Sequence, residues 1–321
     1  MIVYRSLSEV PADFGPSIVT IGNFDGVHCG HRSVIREVVQ RARERNAKAV
    51  LVTLDPHPAR VLRPHHPLRL ITLLAQKLAL LQATDLDAVL LLPFTQDFSR
   101  TSAADFCRAI LHDTLHALEV HEGQDFRLGY GGEADMRGLG ALGVACGFTT
   151  HIFSPLHMGQ EVVSSSRIRT LIAEGNVSTA RRLLGRPFSV QSTPAHGRGY
   201  GTKYAVPTVN LARYDDLLPA HGVYVTDLQV GNGPDALRFE GVTNVGNRPT
   251  FGEDSFAVET YLLRFHPFPL AEDTPLTLTF LKRLREERKW PSPEALKQQI
   301  GMDVARAERW FALRRSLTLA V

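Results

Sequence analysis

The spacing of apolar residues changes near residue 185, and this change constrains the fold more than any other feature of the 321-residue chain. Before it, fully apolar runs alternate with amphipathic helical patterns. Residues 18–21, 49–54 and 88–92 read as buried strands, and 148–153 (FTTHIF) as a further one. Val34, Ile35, Val38, Val39 and Ala42 mark one face of a helix, and 72–82 predicts another. Ser102 with Asp105 reads as a capping box that opens a helix running to Leu115. Two short helices, 166–174 and 177–184, follow. Apolar strands interleaved with helices imply βαβ units and a mostly parallel sheet. After residue 185 the runs are short and broken by Gly, Pro, Asn and Asp: 189–194, 207–211, 223–230, 238–244, 258–265 and 276–280. That spacing predicts an antiparallel barrel or sandwich. Ser292 as N-cap and Pro293 at the first helical position predict a terminal helix to about Arg314. Two domains follow, 1–185 and 186–321, in keeping with roughly 150 residues per domain.

Composition narrows the class. With 44% hydrophobic residues, wholesale disorder is excluded. No apolar run reaches the roughly 18 residues of a membrane helix, and the first residues do not read as a secretory signal. Cys29, Cys107 and Cys146 are odd in number and form no CxxC pair, which predicts a reducing cytoplasm and no thiolate zinc site. The formal charge of +3 permits a nucleotide ligand without demanding nucleic acid.

TIGNFDGVHCGH (20–31) lies where an apolar strand turns into a helix. Open α/β sheets bind ligands at that edge. Gly22, Gly26 and Gly30 allow close approach of a phosphate, and the helix start supplies free N–H groups. His28 and His31 add two donors for charge developing on phosphate oxygens. A shared metal between them lacks a completing Cys or Glu nearby. Such a site transfers a phosphoryl or nucleotidyl group by alignment and charge stabilisation. GLGALG (138–143) satisfies GxGxxG but falls inside a helix-like stretch ahead of a strand. A dinucleotide loop would have to follow a strand and open a helix.

GNFDGVHCGH resembles the HxGH motif of nucleotidylyltransferases, in the form carried by bacterial bifunctional riboflavin kinase/FAD synthetases. VSSSRIR (163–169) resembles the serine-rich motif that pairs with it, and LDPHP (54–58), LPF (92–94) and GQDFRLG (123–129) resemble further landmarks. The resemblance implies a Rossmann-like α/β nucleotidylyltransferase domain. ATP would be held by Gly22, Asn23, Phe24, Asp25, Gly26, His28, Gly30, His31, His57, Ser164, Ser165, Ser166 and Arg169. Asp125, Phe126 and Arg127 would lie near the flavin or the adenine.

The second half carries HGRGYGTKYAVPTVNL (196–211). Its glycines suit a phosphate-wrapping loop, although the Walker spacing is absent. Thr208 and Asn210 offer hard oxygens suited to Mg²⁺. PTVN matches the PTxN motif of riboflavin kinases. GVYVT (222–226), GVTNVGNRPTF (241–251), VETYLL (258–263) and FLKRLREERKW (280–290) fall in family order. The resemblance implies a mainly antiparallel β-barrel kinase domain with a terminal helix. Gly197, Gly199, Gly201 and Lys203 would bind ATP with Thr208 and Asn210. Arg248, Thr250 and Phe251 would meet the flavin, and Glu259 would be the general base. Ala205 and Val206 depart from the family's Gly and aromatic residue before PTxN. They leave open a chain that is an FAD synthetase only, with the kinase fold as a flavin-binding module.

The stretch 280–315 is basic and holds both tryptophans, a pattern also found in nucleic-acid-binding regulators. Interleaved Glu286, Glu287, Glu294, Asp303 and Glu308 favour a solvated face over a packed helix. The resemblance implies ATP and flavins (riboflavin, FMN and FAD) as partners, and the charge pattern and the lack of a membrane-length apolar run lead us to expect no nucleic acid and no membrane. A homo-oligomer is compatible with this reading.

Overall fold

The computed structural model describes residues 1–195, 208–247 and 256–318. They form two compact units, Met1–Ser165 and Ser166–Val321.

The first unit contains strands β1 (Ile2–Tyr4), β2 (Ser17–Ile21), β3 (Lys48–Asp55), β4 (Ala88–Pro93), β5 (Ala117–Gly123) and β6 (Thr149–Phe153). They form one sheet in the order β1-β4-β3-β2-β5-β6, and every pairing is parallel. The helices are α1 (Cys29–Glu44), α2 (Pro58–Leu62), α3 (Leu74–Gln82), α4 (Ala103–Phe106) and α5 (Met136–Cys146), and a hairpin β7 (His157–Met158) and β8 (Glu161–Val162) follows. All five residues of β2 are buried, as expected of a parallel strand covered on both sides. Alternation along the strands sorts the two cores. Ile18, Leu51 and Val89 face Ile35, Val38 and Leu81 of α1 and α3. Val19, Val50, Val52 and Leu90 face Phe106 and Leu139 of α4 and α5.

The expected capping box is present. The Ser102 hydroxyl accepts from the Asp105 N–H at 3.0 Å and donates to its carboxylate at 2.6 Å. The helix it opens is α-helical only to Phe106 and continues as a wider π-helical turn over Cys107–His112. Amide bonds spanning five residues, Asp113 to Arg108 and Leu115 to Ile110, mark that widening. GLGALG lies within α5, where Asp135 caps the helix by accepting from the Gly138 N–H at 2.9 Å. A Cβ on Gly143 would stand 2.6 Å from the Phe148 carbonyl. The glycine there permits close packing.

The second unit opens with α6 (Ser165–Ala173) and α7 (Val177–Leu184). Strands β9 (Phe188–Ser192), β10 (Thr208–Asn210), β11 (Gly222–Val230), β12 (Leu237–Asn247), β13 (Phe256–Leu262) and β14 (Leu276–Glu286) follow, then α8 (Pro293–Thr318). The sheet order is β10-β13-β12-β11-β14-β9, antiparallel throughout. Just past β9, the Ala195 N–H donates to the Asn210 carbonyl at 2.8 Å, and the Ala212 N–H to that of Thr193 at 2.8 Å. These bonds draw the two edge strands together into a half-barrel. Inside it Phe280 packs against both Phe188 and Tyr224. On the outside, Val223, Val225 and Val242 pack on Ala307 and Phe311 of α8. Ser292 caps α8 through the Ala295 N–H at 3.2 Å, as expected.

The basic C-terminal stretch is part strand and part helix, because β14 runs on to Glu286 beyond its apolar start. Several of its arginines face carboxylates: Arg285 to Asp303 at 2.8 Å, Arg314 to Asp227 at 3.0 Å, and Arg315 to Glu240.

Candidate active sites

In the first sheet the chain progresses from β2 outward through β3 to β4 on one side, and through β5 to β6 on the other. The crevice at the carboxyl end of β2 is therefore a topological switch point, where open α/β sheets bind ligands. The expected motif occupies it: β2 ends at Ile21, a turn follows, and α1 begins at Cys29.

Local sequence explains the shape of the turn. Gly26 adopts φ +85°, and a Cβ there would press on the Ile71 side chain at 3.1 Å. Phe24 and Val27 are also left-handed, at φ 47° and 37°. For a β-branched residue this costs on the order of 1–3 kcal/mol and persists only where the surroundings impose it. Those surroundings are buried and bonded. Asp25 is turned inward, and its carboxylate accepts from the N–H groups of Ile71 and Thr72 at 3.0–3.1 Å. The Gly26 N–H donates to the Thr72 hydroxyl at 3.0 Å. The Asn23 carbonyl accepts from Lys77 Nζ at 3.3 Å and from the Thr53 hydroxyl at 3.4 Å. Burial pushes the Lys77 ammonium below the ordinary lysine value, against the upward pull of Asp55 and Asp25.

His28 is the N-cap of α1, with its Nδ1 accepting from the His31 N–H at 3.2 Å. A neutral His28 in that role carries its proton on Nε2. The His28 and His31 rings stack at 3.6 Å, with Phe24 tilted on His31 at 4.8 Å. A Cβ on Gly30 would meet the His28 ring at 3.2 Å and the Val163 carbonyl at 3.3 Å. Next to β2, Glu122 of β5 is fully buried and accepts from the Ile21 N–H and the Thr20 hydroxyl. Burial pushes its carboxyl well above the usual carboxylate range despite those two bonds.

The serine-rich motif reaches the same turn. The Ser165 hydroxyl donates to the Asp25 carbonyl at 2.9 Å, although 140 residues separate them. Ser164 is half-buried beside it in sequence, and Ser166 and Arg169 lie on α6. His57 caps α2 by accepting from the Ala59 N–H at 3.1 Å. Asp125, Phe126 and Arg127 lie in the loop after β5, with Phe126 packed on the core and the Arg127 guanidinium bonded to the Phe126 carbonyl at 3.0 Å. Sequence reading missed the supports of the turn: Thr53, Thr72, Lys77 and Glu122. Lys77 sits in an apolar helical pattern that gives no sign of it.

In the second unit the expected residues come together through strand register. Asn210 of β10 pairs with Glu259 of β13, and Glu259 pairs with Asn244 of β12. Thr208 lies on the same face as Asn210. Thr208, Asn210, Asn244 and Glu259 are half-buried, while the alternate residues Val209, Val258, Thr243 and Thr260 are buried. The buried face carries a hydroxyl chain, Thr226 to Thr243 at 2.7 Å and Thr243 to Thr260 at 2.9 Å. Asn244 lies inside a motif noted in the sequence, but only the pairing places it beside Glu259. A Cβ on Gly246, two residues further along that face, would collide with the Glu287 carboxylate. Gly197, Gly199, Gly201, Lys203, Arg248, Thr250 and Phe251, with Ala205 and Val206, lie outside the described residues.

A glycine turn with paired histidines at the switch point of a parallel sheet, joined to an antiparallel half-barrel, defines a two-module group-transfer enzyme. Residues 10–167 match the family model described as FAD synthetase, and residues 184–311 the one described as riboflavin kinase. The chain belongs to the bifunctional riboflavin kinase/FMN adenylyltransferase family. It is 34% identical over 309 residues to the enzyme of that name from Pseudomonas fluorescens, covering 96% of this chain and 97% of the relative. It is 30% identical over 314 residues to that of Escherichia coli K12, covering 97% of each. A solved structure of a macrolide-efflux protein from Streptococcus pneumoniae superposes with a TM-score of 0.84 at 26% identity, covering 96% of this chain and 99% of that one. No helix among the described residues is long and apolar enough to cross a membrane.

Proposed function

We propose that residues 1–185 form the FMN adenylyltransferase module and residues 186–321 the riboflavin kinase module. The kinase module makes FMN from riboflavin and ATP. The adenylyltransferase module joins FMN to the AMP of a second ATP, releasing pyrophosphate. One observation carries the first assignment: a turn held rigid from beneath presents His28, His31 and the start of α1 at the switch point. A preorganised set of donors stabilises charge at the reacting phosphate without reorganising. Gly22, Asn23, Phe24, Asp25, Gly26 and Gly30 shape that cradle. Asp25 acts by anchoring it, since its carboxylate faces Ile71 and Thr72 rather than the crevice. His57, Ser164, Ser165, Ser166 and Arg169 complete the ATP site, and Asp125, Phe126 and Arg127 the flavin side.

In the kinase module Glu259 takes the proton from the ribityl 5′-hydroxyl as that oxygen attacks the γ-phosphorus of ATP, whose bond to the bridging oxygen breaks to release ADP. Its place on a paired strand fixes its position. Thr208 and Asn210 share its face and offer only hard oxygen ligands, a set that suits Mg²⁺. Bound there, Mg²⁺ would neutralise charge on phosphate oxygens. Gly197, Gly199, Gly201 and Lys203 hold ATP in this reading, and Arg248, Thr250 and Phe251 the flavin. The carboxylates that face Arg285, Arg314 and Arg315 favour a reading without nucleic acid. That Cys29, Cys107 and Cys146 are thiols outside any disulfide supports a reducing, cytoplasmic setting. Incubation with riboflavin, ATP and Mg²⁺, with products separated chromatographically, should yield FMN first and then FAD. FAD from supplied FMN without FMN from riboflavin would remove the kinase half of the assignment.

A further inference from the structure

The far half of α1 covers a second polar cluster that the nucleotide site does not use. Glu119 and His121 stand two residues apart on β5 and share a face. His151 of β6 is the direct register partner of His121. The two rings stack at 4.7 Å, 12° from parallel. Both Nε2 atoms turn to one carboxylate oxygen: His121 at 3.1 Å and His151 at 3.5 Å from Glu119 Oε2. One ligand atom from each residue falls within 4.8 Å of the others.

We propose that Glu119, His121 and His151 are the protein ligands of a zinc-type divalent metal site, with its remaining position open to solvent. Three observations support it. First, a tetrahedral ion with bonds of about 2.0–2.1 Å sets neighbouring ligand atoms about 3.3 Å apart, and the two measured separations straddle that value. Second, His121 Nδ1 lies 3.2 Å from Glu37 Oε1. A neutral ring that donates there turns a bare lone pair at Nε2 towards Glu119 Oε2. In that tautomer two acceptors face each other, a conflict that either a second ring proton or a metal cation resolves. A histidine fixed by an outer carboxylate is the usual support of a metal-bound imidazole. Third, the Glu119 and His121 side chains are 4% and 2% exposed, whereas that of His151 is 42% exposed, so the site is built inside and opens at one edge.

Arg41 donates to both carboxylate oxygens, Nη2 to Oε1 at 2.7 Å and Nε to Oε2 at 3.1 Å, so a metal at Oε2 would share that oxygen with the guanidinium. Arg45 Nε is 3.5 Å from Oε1. The Thr149 hydroxyl lies 3.3 Å from His151 Nε2, within reach of a metal-bound water. Two imidazoles and one carboxylate select zinc, cobalt or nickel over magnesium. At about 1.5 Å per residue, Glu37 and Arg41 lie some 9–15 Å further along α1 than His31. The site is therefore separate from the phosphate-binding turn.

The test uses the full chain, treated with chelator and free of nucleotide, titrated with Zn²⁺ by calorimetry and with Co²⁺ by visible absorption. One ion per chain is expected, with a tetrahedral Co²⁺ spectrum and a Zn²⁺-dependent rise in Tm. His151→Ala, at a half-exposed position, should abolish the spectrum and the rise. Glu37→Gln should weaken Zn²⁺ binding about 10–100-fold. Both variants should convert FMN to FAD at the wild-type rate. Equal Zn²⁺ affinity in wild type and His151→Ala, or no stoichiometric binding by wild type, would overturn the proposal and leave a protonated hydrogen-bonded triad.

Discussion

The two candidate sites are assembled in opposite ways. In the first unit, consecutive residues from Thr20 to His31 supply the turn, the cap and both histidines. Distant residues such as Thr72 and Lys77 fasten it. In the second unit, Thr208, Asn210, Asn244 and Glu259 come from three strands, and pairing alone makes them neighbours. The first site is written in one stretch of chain and depends on backbone strain being held. The second depends on register. A slip of one residue in β13 would send Glu259 to the buried face and Thr260 out.

The largest expected effect isolates the second site. Glu259→Gln keeps shape and pairing and should slow riboflavin phosphorylation about 10²–10⁴-fold, while FMN adenylylation stays within twofold. Separate assays of the two steps measure this, and normal phosphorylation would refute the base. His31→Ala should do the converse. FAD formation should fall about 10²–10³-fold with FMN formation intact, and an unchanged FAD yield would end the phosphate-stabilising role.

Asp25→Ala tests whether the first site depends on its fastening. It strands the buried N–H groups of Ile71 and Thr72, each worth about 1–3 kcal/mol. A lower Tm and weaker FAD formation are expected, with riboflavin phosphorylation unaffected. Wild-type FAD formation would show that the turn holds its shape unaided.

The smallest effect is a pH slope. Burial keeps Lys77 below the ordinary value of 10.5, so between its folded value and 10.5 the unfolded chain binds more protons. Stability should therefore rise with pH across that window. Lys77→Gln should flatten the rise in melts taken across the window, and an identical slope would show that Lys77 is solvated.

What was legible in the sequence follows the same division. The HxGH turn, the capping box at Ser102, the N-cap at Ser292, and the apolar strands β2, β3 and β4 carry their signals locally. Strand β5 does not. Glu119, His121 and Glu122 break its apolar run, and each is paired by residues distant in the chain. Likewise β14 reads as charged surface after Phe280 because α8 covers one of its faces. A π-helical turn has no periodic signature in so short a segment, so the helix after Ser102 is read as regular. Buried charge is the common cause, since its meaning lies in a partner that spacing cannot supply.

The bonds that join the strand ends past β9 and β10 have one more consequence. They tie the chain immediately before and after residues 196–207, the stretch that carries the glycines of the second motif. For a flexible loop between two fixed ends, doubling the length costs only about 0.6 kcal/mol in closure entropy. The closing of the half-barrel at this edge therefore rests on these backbone bonds and is nearly indifferent to the length of chain between them.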